Sequence, residues 1–181
     1  MLANDTLLLI SHGSVRYPDA ARVSLLHAEA LRAEGRFRRV EVGLLNGAPS
    51  VAESLARIDT PVIRVVPFFM EDGYFTRVAI PRALGDDPRI RLCPPIGVHD
   101  GMAGLIEHHA LHACATMDTP SRSAAILVVG HGSASAPGRA LALHRHASRV
   151  AATELFARVE AACLEEAPFI APALSGLRHH P

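Results

Sequence analysis

One short pattern occurs twice in this chain and limits what it can fold into. The apolar run Thr6-Leu7-Leu8-Leu9-Ile10 ends in Ser11-His12-Gly13-Ser14. A second run, Ala124 to Val129, ends in Gly130-His131-Gly132-Ser133, with the two histidines 119 residues apart. The same offset lays Val40–Pro49 on Val159–Pro168 without a gap, and Val-Glu, a Leu and Ala-Pro coincide. Two landmarks at one offset mark an internal duplication. Two full copies of a 119-residue unit would take 238 residues, 57 more than the 181 present. The expected organisation is therefore a complete α/β repeat over 1–118 and a partial second repeat over 119–181, reading strand-helix-strand-helix.

Between these landmarks, strand and helix signals alternate. Thr6–Ile10, Val40–Leu45, Pro61–Phe69 and Arg89–Cys93 are short apolar or β-branched runs of strand length. Apolar Val23, Leu26, Ala30 and Ala33 recur at helical spacing within 19–34, ahead of the stop signal Gly35. Ser50 and Glu53 form a capping-box signature for a helix reaching about Ile58, and further helices are expected over Arg77–Leu84 and Met102–Met117. Met117–Ser123 reads as a linker, after which the pattern restarts and closes with a helix near Ala167–Leu177. Alternation of this kind predicts an α/β fold with a parallel sheet flanked by helices.

Composition narrows the function classes. The 18 basic residues balance 18 acidic ones, which argues against a nucleic-acid partner. Every basic residue is an arginine, so lysine Schiff-base chemistry and a P-loop lysine are both excluded. The first apolar run is too short for a signal peptide or membrane span. Cys93, Cys114 and Cys163 are odd in number and show no C-x-x-C spacing, which speaks against a disulfide framework or a zinc site. A cytoplasmic protein with no membrane partner is the expectation.

The candidate chemistry gathers where strands end. His12 follows the first strand, at the edge where open α/β sheets place their ligands. An imidazole there can ligate a metal or act as a base. Gly13 permits close backbone approach, and Ser14 can offer a hydroxyl or cap the next helix. The loop after the third strand opens at the same edge. In it Glu71 and Asp72 can ligate a cation, Tyr74 can hydrogen-bond a ligand, and Phe75 can pack on a flat ring. Arg16, Arg77 and, in the second repeat, Arg139 are placed to clamp carboxylates. His108 and His112 stand i, i+4 on a helix, a spacing that can bind metal, but Glu107 precedes them and no HExxH glutamate follows. They read as a solvated face. His99 reads as part of a helix cap, and His179 and His180 as frayed. A histidine phosphatase would need an arginine directly before its histidine, where this chain has Ser11 and Gly130.

Strand-HGS, the V-x-V strand with Ala48-Pro49-Ser50, and Val65-Val66-Pro67-Phe68-Phe69…Gly73…Ile80-Pro81 together resemble the CbiX/SirB group of sirohydrochlorin chelatases. The resemblance spans the first repeat nearly end to end, and the second as far as it runs. It implies a class II chelatase fold, a flavodoxin-like α/β unit used twice. It also implies a lyase that inserts Co²⁺ or Fe²⁺ into sirohydrochlorin for cobalamin or sirohaem. The divalent metal and the tetrapyrrole are then substrates, and no organic cofactor is needed. His12 matches the first of that group's two metal-handling histidines. The second usually stands in a G-x-H arrangement, where this chain reads Gly73-Tyr74-Phe75. On this reading His12 and Glu71 are the catalytic pair, with Gly13, Ser14, Arg16, Tyr74, Phe75 and Arg77 facing the substrate. His12, Glu71 and His131 handle the metal. A non-catalytic tetrapyrrole- or metal-binding protein derived from a chelatase is the alternative. An unfinished second repeat would leave an exposed sheet edge or apolar helix face for a homodimer to cover.

Overall fold

A computed structural model describes residues 2–135 and 138–178. His179 and His180 lie outside the described residues. The chain divides into two compact units, Met1–Gly97 and Val98–Pro181.

In the first unit, strands β1 (Thr6–Ser11), β2 (Arg39–Leu44), β3 (Ile63–Pro67) and β4 (Ile90–Leu92) form one fully parallel sheet in the order β2-β1-β3-β4. Every residue of β1 is buried. Its alternation sends Leu8 and Ile10 to one face and Leu7 and Leu9 to the other. The first face packs under α2 (Val51–Ala56) and α3 (Ile80–Leu84), through Val51, Ile80 and Leu84. The second face packs under α1 (Arg22–Ala33), through Ala28 and, in the turn just before the helix, Ala21. Leu8, Ile10, Ile63 and Val65 are wholly sequestered, each contributing roughly 1.5–3 kcal/mol by leaving water.

The second unit holds α4 (Gly101–Thr116), β5 (Ala125–Gly130), α5 (Leu141–Ala151), β6 (Arg158–Cys163) and α6 (Ile170–Arg178). β5 and β6 pair in parallel as a two-stranded sheet. Cys114 of α4 joins Val150 and Phe156 in its core, with Ile106, Ala110 and Leu111 packed beside them. These contacts place α4 in the second unit. The boundary between compact units therefore falls at Gly97/Val98, ahead of the repeat boundary expected at 118/119.

The repeat itself is carried into three dimensions. β1, α1, β2 and α2 begin at residues 6, 22, 39 and 51; β5, α5, β6 and α6 begin at 125, 141, 158 and 170, each 119 residues on. Local bonding repeats as well. Leu44 N–H donates to the Pro49 carbonyl and Cys163 N–H to that of Pro168, each at 2.8 Å. Asn46 N–H donates to the His12 carbonyl at 2.8 Å and Glu165 N–H to that of His131 at 3.0 Å. Ala48–Pro49 and Ala167–Pro168 are both cis.

Three expectations need correction. On α1 the stripe facing the sheet is Ala21, Ser24, Ala28 and Leu31, whereas Val23 and Leu26 are exposed. A 3₁₀ turn over Pro18–Ala21 sets the helix phase, and small residues let the backbone approach the strands closely. The helix expected from Arg77 begins two residues earlier, as a π-helical turn over Phe75–Ala79 that leads directly into α3. Within the expected linker, Ser121–Ser123 forms a 3₁₀ turn.

Candidate functional site

The connection after β1 leads to a helix on one face of the sheet, and the connection after β3 to a helix on the other. Adjacent parallel strands whose connections diverge leave a crevice at their C-terminal ends, the usual ligand site of open α/β sheets. His12 stands on one lip of this crevice and the Phe69–Phe75 loop on the other.

Gly13 holds the first lip in shape. Its φ is +66°, and a Cβ there would lie 2.4 Å from the Asn46 carbonyl oxygen, so no side chain fits. The tight turn brings the His12 ring back on itself, and Nδ1 lies 2.8 Å from the Gly13 carbonyl oxygen. A carbonyl only accepts, so Nδ1 carries the proton and the Nε2 lone pair is left outward. Asn46 Nδ2 approaches Nε2 at 3.5 Å, a weak contact that an incoming ion or proton can displace. Ser14 Oγ accepts the Tyr17 N–H at 3.0 Å, so this hydroxyl serves the turn. Arg16 is exposed, its guanidinium 5.4 Å from the centre of the Tyr17 ring.

The opposite lip is aromatic. Phe75 lies edge-on to His12 with ring centres 4.7 Å apart, stacks on Phe69 at 5.7 Å, and meets Tyr74 at 5.6 Å. Phe75 is 37% exposed and Tyr74 60%, so this cluster forms an open platform. The loop below it is braced twice. Gly97 N–H donates to the Phe69 carbonyl at 2.9 Å, and a Cβ on Gly97 would fall 2.1 Å from Met70 Cα. Asp72 accepts from Thr76 Oγ1 at 2.7 Å, and from Arg77 Nε and Nη2 at 3.0 and 2.8 Å. The Arg77 guanidinium and Thr76 hydroxyl hold the Asp72 carboxyl below the usual carboxylate range. Arg77 is thus tied to its own loop, and Glu71 stands half-buried beside it.

In the second unit, His131 repeats the His12 turn more loosely. Its Nδ1 is 3.3 Å from the Gly132 carbonyl oxygen and 3.7 Å from a Glu165 carboxylate oxygen, Glu165 standing where the first repeat has Asn46. Arg139 is exposed. Among the described residues no three His, Cys, Asp or Glu side chains converge on a metal position. Asn46 and Phe69 are the crevice residues that the sequence reading did not assign. The offset did pair Asn46 with Glu165, but a polar residue in a turn carries no further signal.

The CbiX family model matches residues 6–113, more than half of the chain and all of the crevice just described. The chain belongs to the CbiX family. A curated relative from Halobacterium salinarum, named a probable sirohydrochlorin cobaltochelatase, is 27% identical over 90% of this chain. The chain spans 64% of that relative's length. Among solved structures, a multi-domain protein of Deinococcus radiodurans with structural similarity to chelatases is 30% identical, with a TM-score of 0.77 over 89% of this chain and 39% of its own. CbiX described as the terminal enzyme of sirohaem biosynthesis in denitrifying bacteria is 29% identical, with a TM-score of 0.71 over 93% of this chain and 73% of its own. SirB from Bacillus subtilis, solved with Fe³⁺, shares the fold at a TM-score of 0.75 over 96% of this chain and 71% of its own, with 19% identity. The parallel sheet flanked by helices is accordingly the class II chelatase architecture.

Proposed function

We propose that this chain takes part in sirohydrochlorin metal chelation, with Co²⁺ or Fe²⁺ as the metal substrate. Support comes from the family, from the names of its relatives, and above all from the His12 tautomer. One imidazole nitrogen is spent on the Gly13 carbonyl and the other offers its lone pair to a crevice walled by Phe75. Insertion requires a borderline divalent ion to lose water and pyrrole N–H groups to lose protons. His12 Nε2 first holds the ion and, once the ion has passed to the macrocycle, takes one of the two protons released, and Glu71, on the opposite lip, receives the other. The macrocycle lies on the Phe75–Tyr74 platform. Its carboxylates meet Arg16, and Arg77 once that side chain leaves Asp72. Protons pass from pyrrole nitrogen to imidazole or carboxylate as the metal takes their place, so charge and atoms balance.

The test is absorbance of sirohydrochlorin mixed with Co²⁺ and protein. Wild type should exceed the uncatalysed rate, His12→Ala should fall to that background, and His131→Ala should retain most activity. Binding of the macrocycle with no rate above background would make the chain a tetrapyrrole-binding protein. Loss only in His131→Ala would move the site to the second repeat.

A further inference from the structure

α4 carries three histidines that the crevice does not use. The helix runs unbroken over Gly101–Thr116, and its inward side is set by Ile106, Ala110, Leu111 and buried Cys114. His108, His109 and His112 are all exposed. Helical geometry places His108 and His112 one turn apart on one face, with Cβ atoms about 5–6 Å from each other. No hydrogen bond or ion pair engages either imidazole among the described residues, although the His109 ring centre lies 5.9 Å from that of His108. By contrast, His12 and His131 each turn Nδ1 to a neighbouring carbonyl, and His99 Nδ1 accepts the Gly101 N–H.

We propose that His108 and His112 form a two-imidazole capture site for a borderline divalent cation. Two neutral imidazoles one turn apart can chelate one such ion, as the histidine pair of a zincin helix does. Among the described residues no third protein ligand completes the set, so water fills the remaining positions and the ion stays exchangeable. Glu107 precedes the pair and is half-buried, so no carboxylate stands where the zincin base would be. The site therefore holds a metal without activating water. Affinity follows the general order for nitrogen sites, Cu²⁺ above Ni²⁺ above Co²⁺. This inference rests on α4 alone and stands whether or not the crevice is a chelatase.

The experiment is calorimetric titration of the full chain with Co²⁺ and with Cu²⁺, paired with thermal melts at each metal concentration. Alanine is the best helix former and all three positions face solvent, so single alanine variants should keep the fold. Wild type and His12→Ala should both show the α4 site and a metal-dependent rise in Tm, because an ion bridging two turns stabilises only the folded helix. His108→Ala and His112→Ala should each weaken this component at least tenfold and reduce the Tm rise, and either one combined with His12→Ala should abolish it. His109→Ala should leave both unchanged. Superimposable isotherms for wild type and His112→Ala would overturn the proposal, and so would an equal loss in His109→Ala.

Discussion

At the scale of single residues, the crevice is organised by what each polar atom is already committed to. His12 keeps Nδ1 on the Gly13 carbonyl and leaves Nε2 with only the long Asn46 contact, and the Phe75 ring lies edge-on beside it, 4.7 Å between centres. Phe75→His should therefore tighten Co²⁺ binding by roughly tenfold or more, read by titration against wild type, since imidazole is a ligand and a phenyl ring is not. Asp72 titrates in the opposite sense to a group awaiting a partner. Its carboxyl is held below its unfolded value by Arg77 and Thr76, so its stabilisation is present above the unfolded value and is lost as pH falls through the depressed one. Both side chains are well exposed, Asp72 to 38% and Arg77 to 69%, so solvent screening keeps that contribution small. Acid titration followed by the carboxyl NMR shift should locate the Asp72 midpoint below that of an unpaired aspartate, and Arg77→Ala should raise it. The residues easiest to read from sequence were those with a distinctive type at a strand end, such as His12. Asn46 was hidden because its role depends on where a turn brings it, which residue type alone does not encode.

Elements set the reach of these side chains. The Phe69–Phe75 loop owes its course to Gly97, whose missing side chain lets the chain pass against Met70. Gly97→Ala should displace that loop and uncouple Phe75 from His12, visible as loss of His12 ring-current shifts in proton NMR, and should lower stability by about 2 kcal/mol on chemical denaturation. Strands were legible from their β-branched runs, and Ser50–Glu53 is a complete capping box as expected. The buried stripe of α1 was misread because periodicity weighs hydrophobicity and not size. Ala21, Ser24 and Ala28 face the sheet since small residues let the helix sit close, and the larger Val23 and Leu26 are left outside.

Across the whole molecule, the element starts recur at the offset that the two sequence landmarks set, while the compact units divide elsewhere, at Gly97/Val98. Sequence offset records where a copy begins, whereas compactness follows apolar contacts, and α4 makes its contacts with α5. Among the described residues β1 pairs on both edges, whereas β5 pairs with β6 alone, and Val129 of β5 is 49% exposed. An apolar strand with an unpaired edge favours self-association. Light scattering should show a mass rising above 19.3 kDa with concentration, and a constant monomer mass would exclude it. The equal spacing of element starts carries a different consequence. Because no insertion or deletion separates the copies from β1 to the start of α2, the turn bearing His12 and the turn bearing His131 are interchangeable parts. Exchanging the two turns should leave every strand register unchanged, which makes each the control for what the surroundings, rather than the turn, add to a histidine.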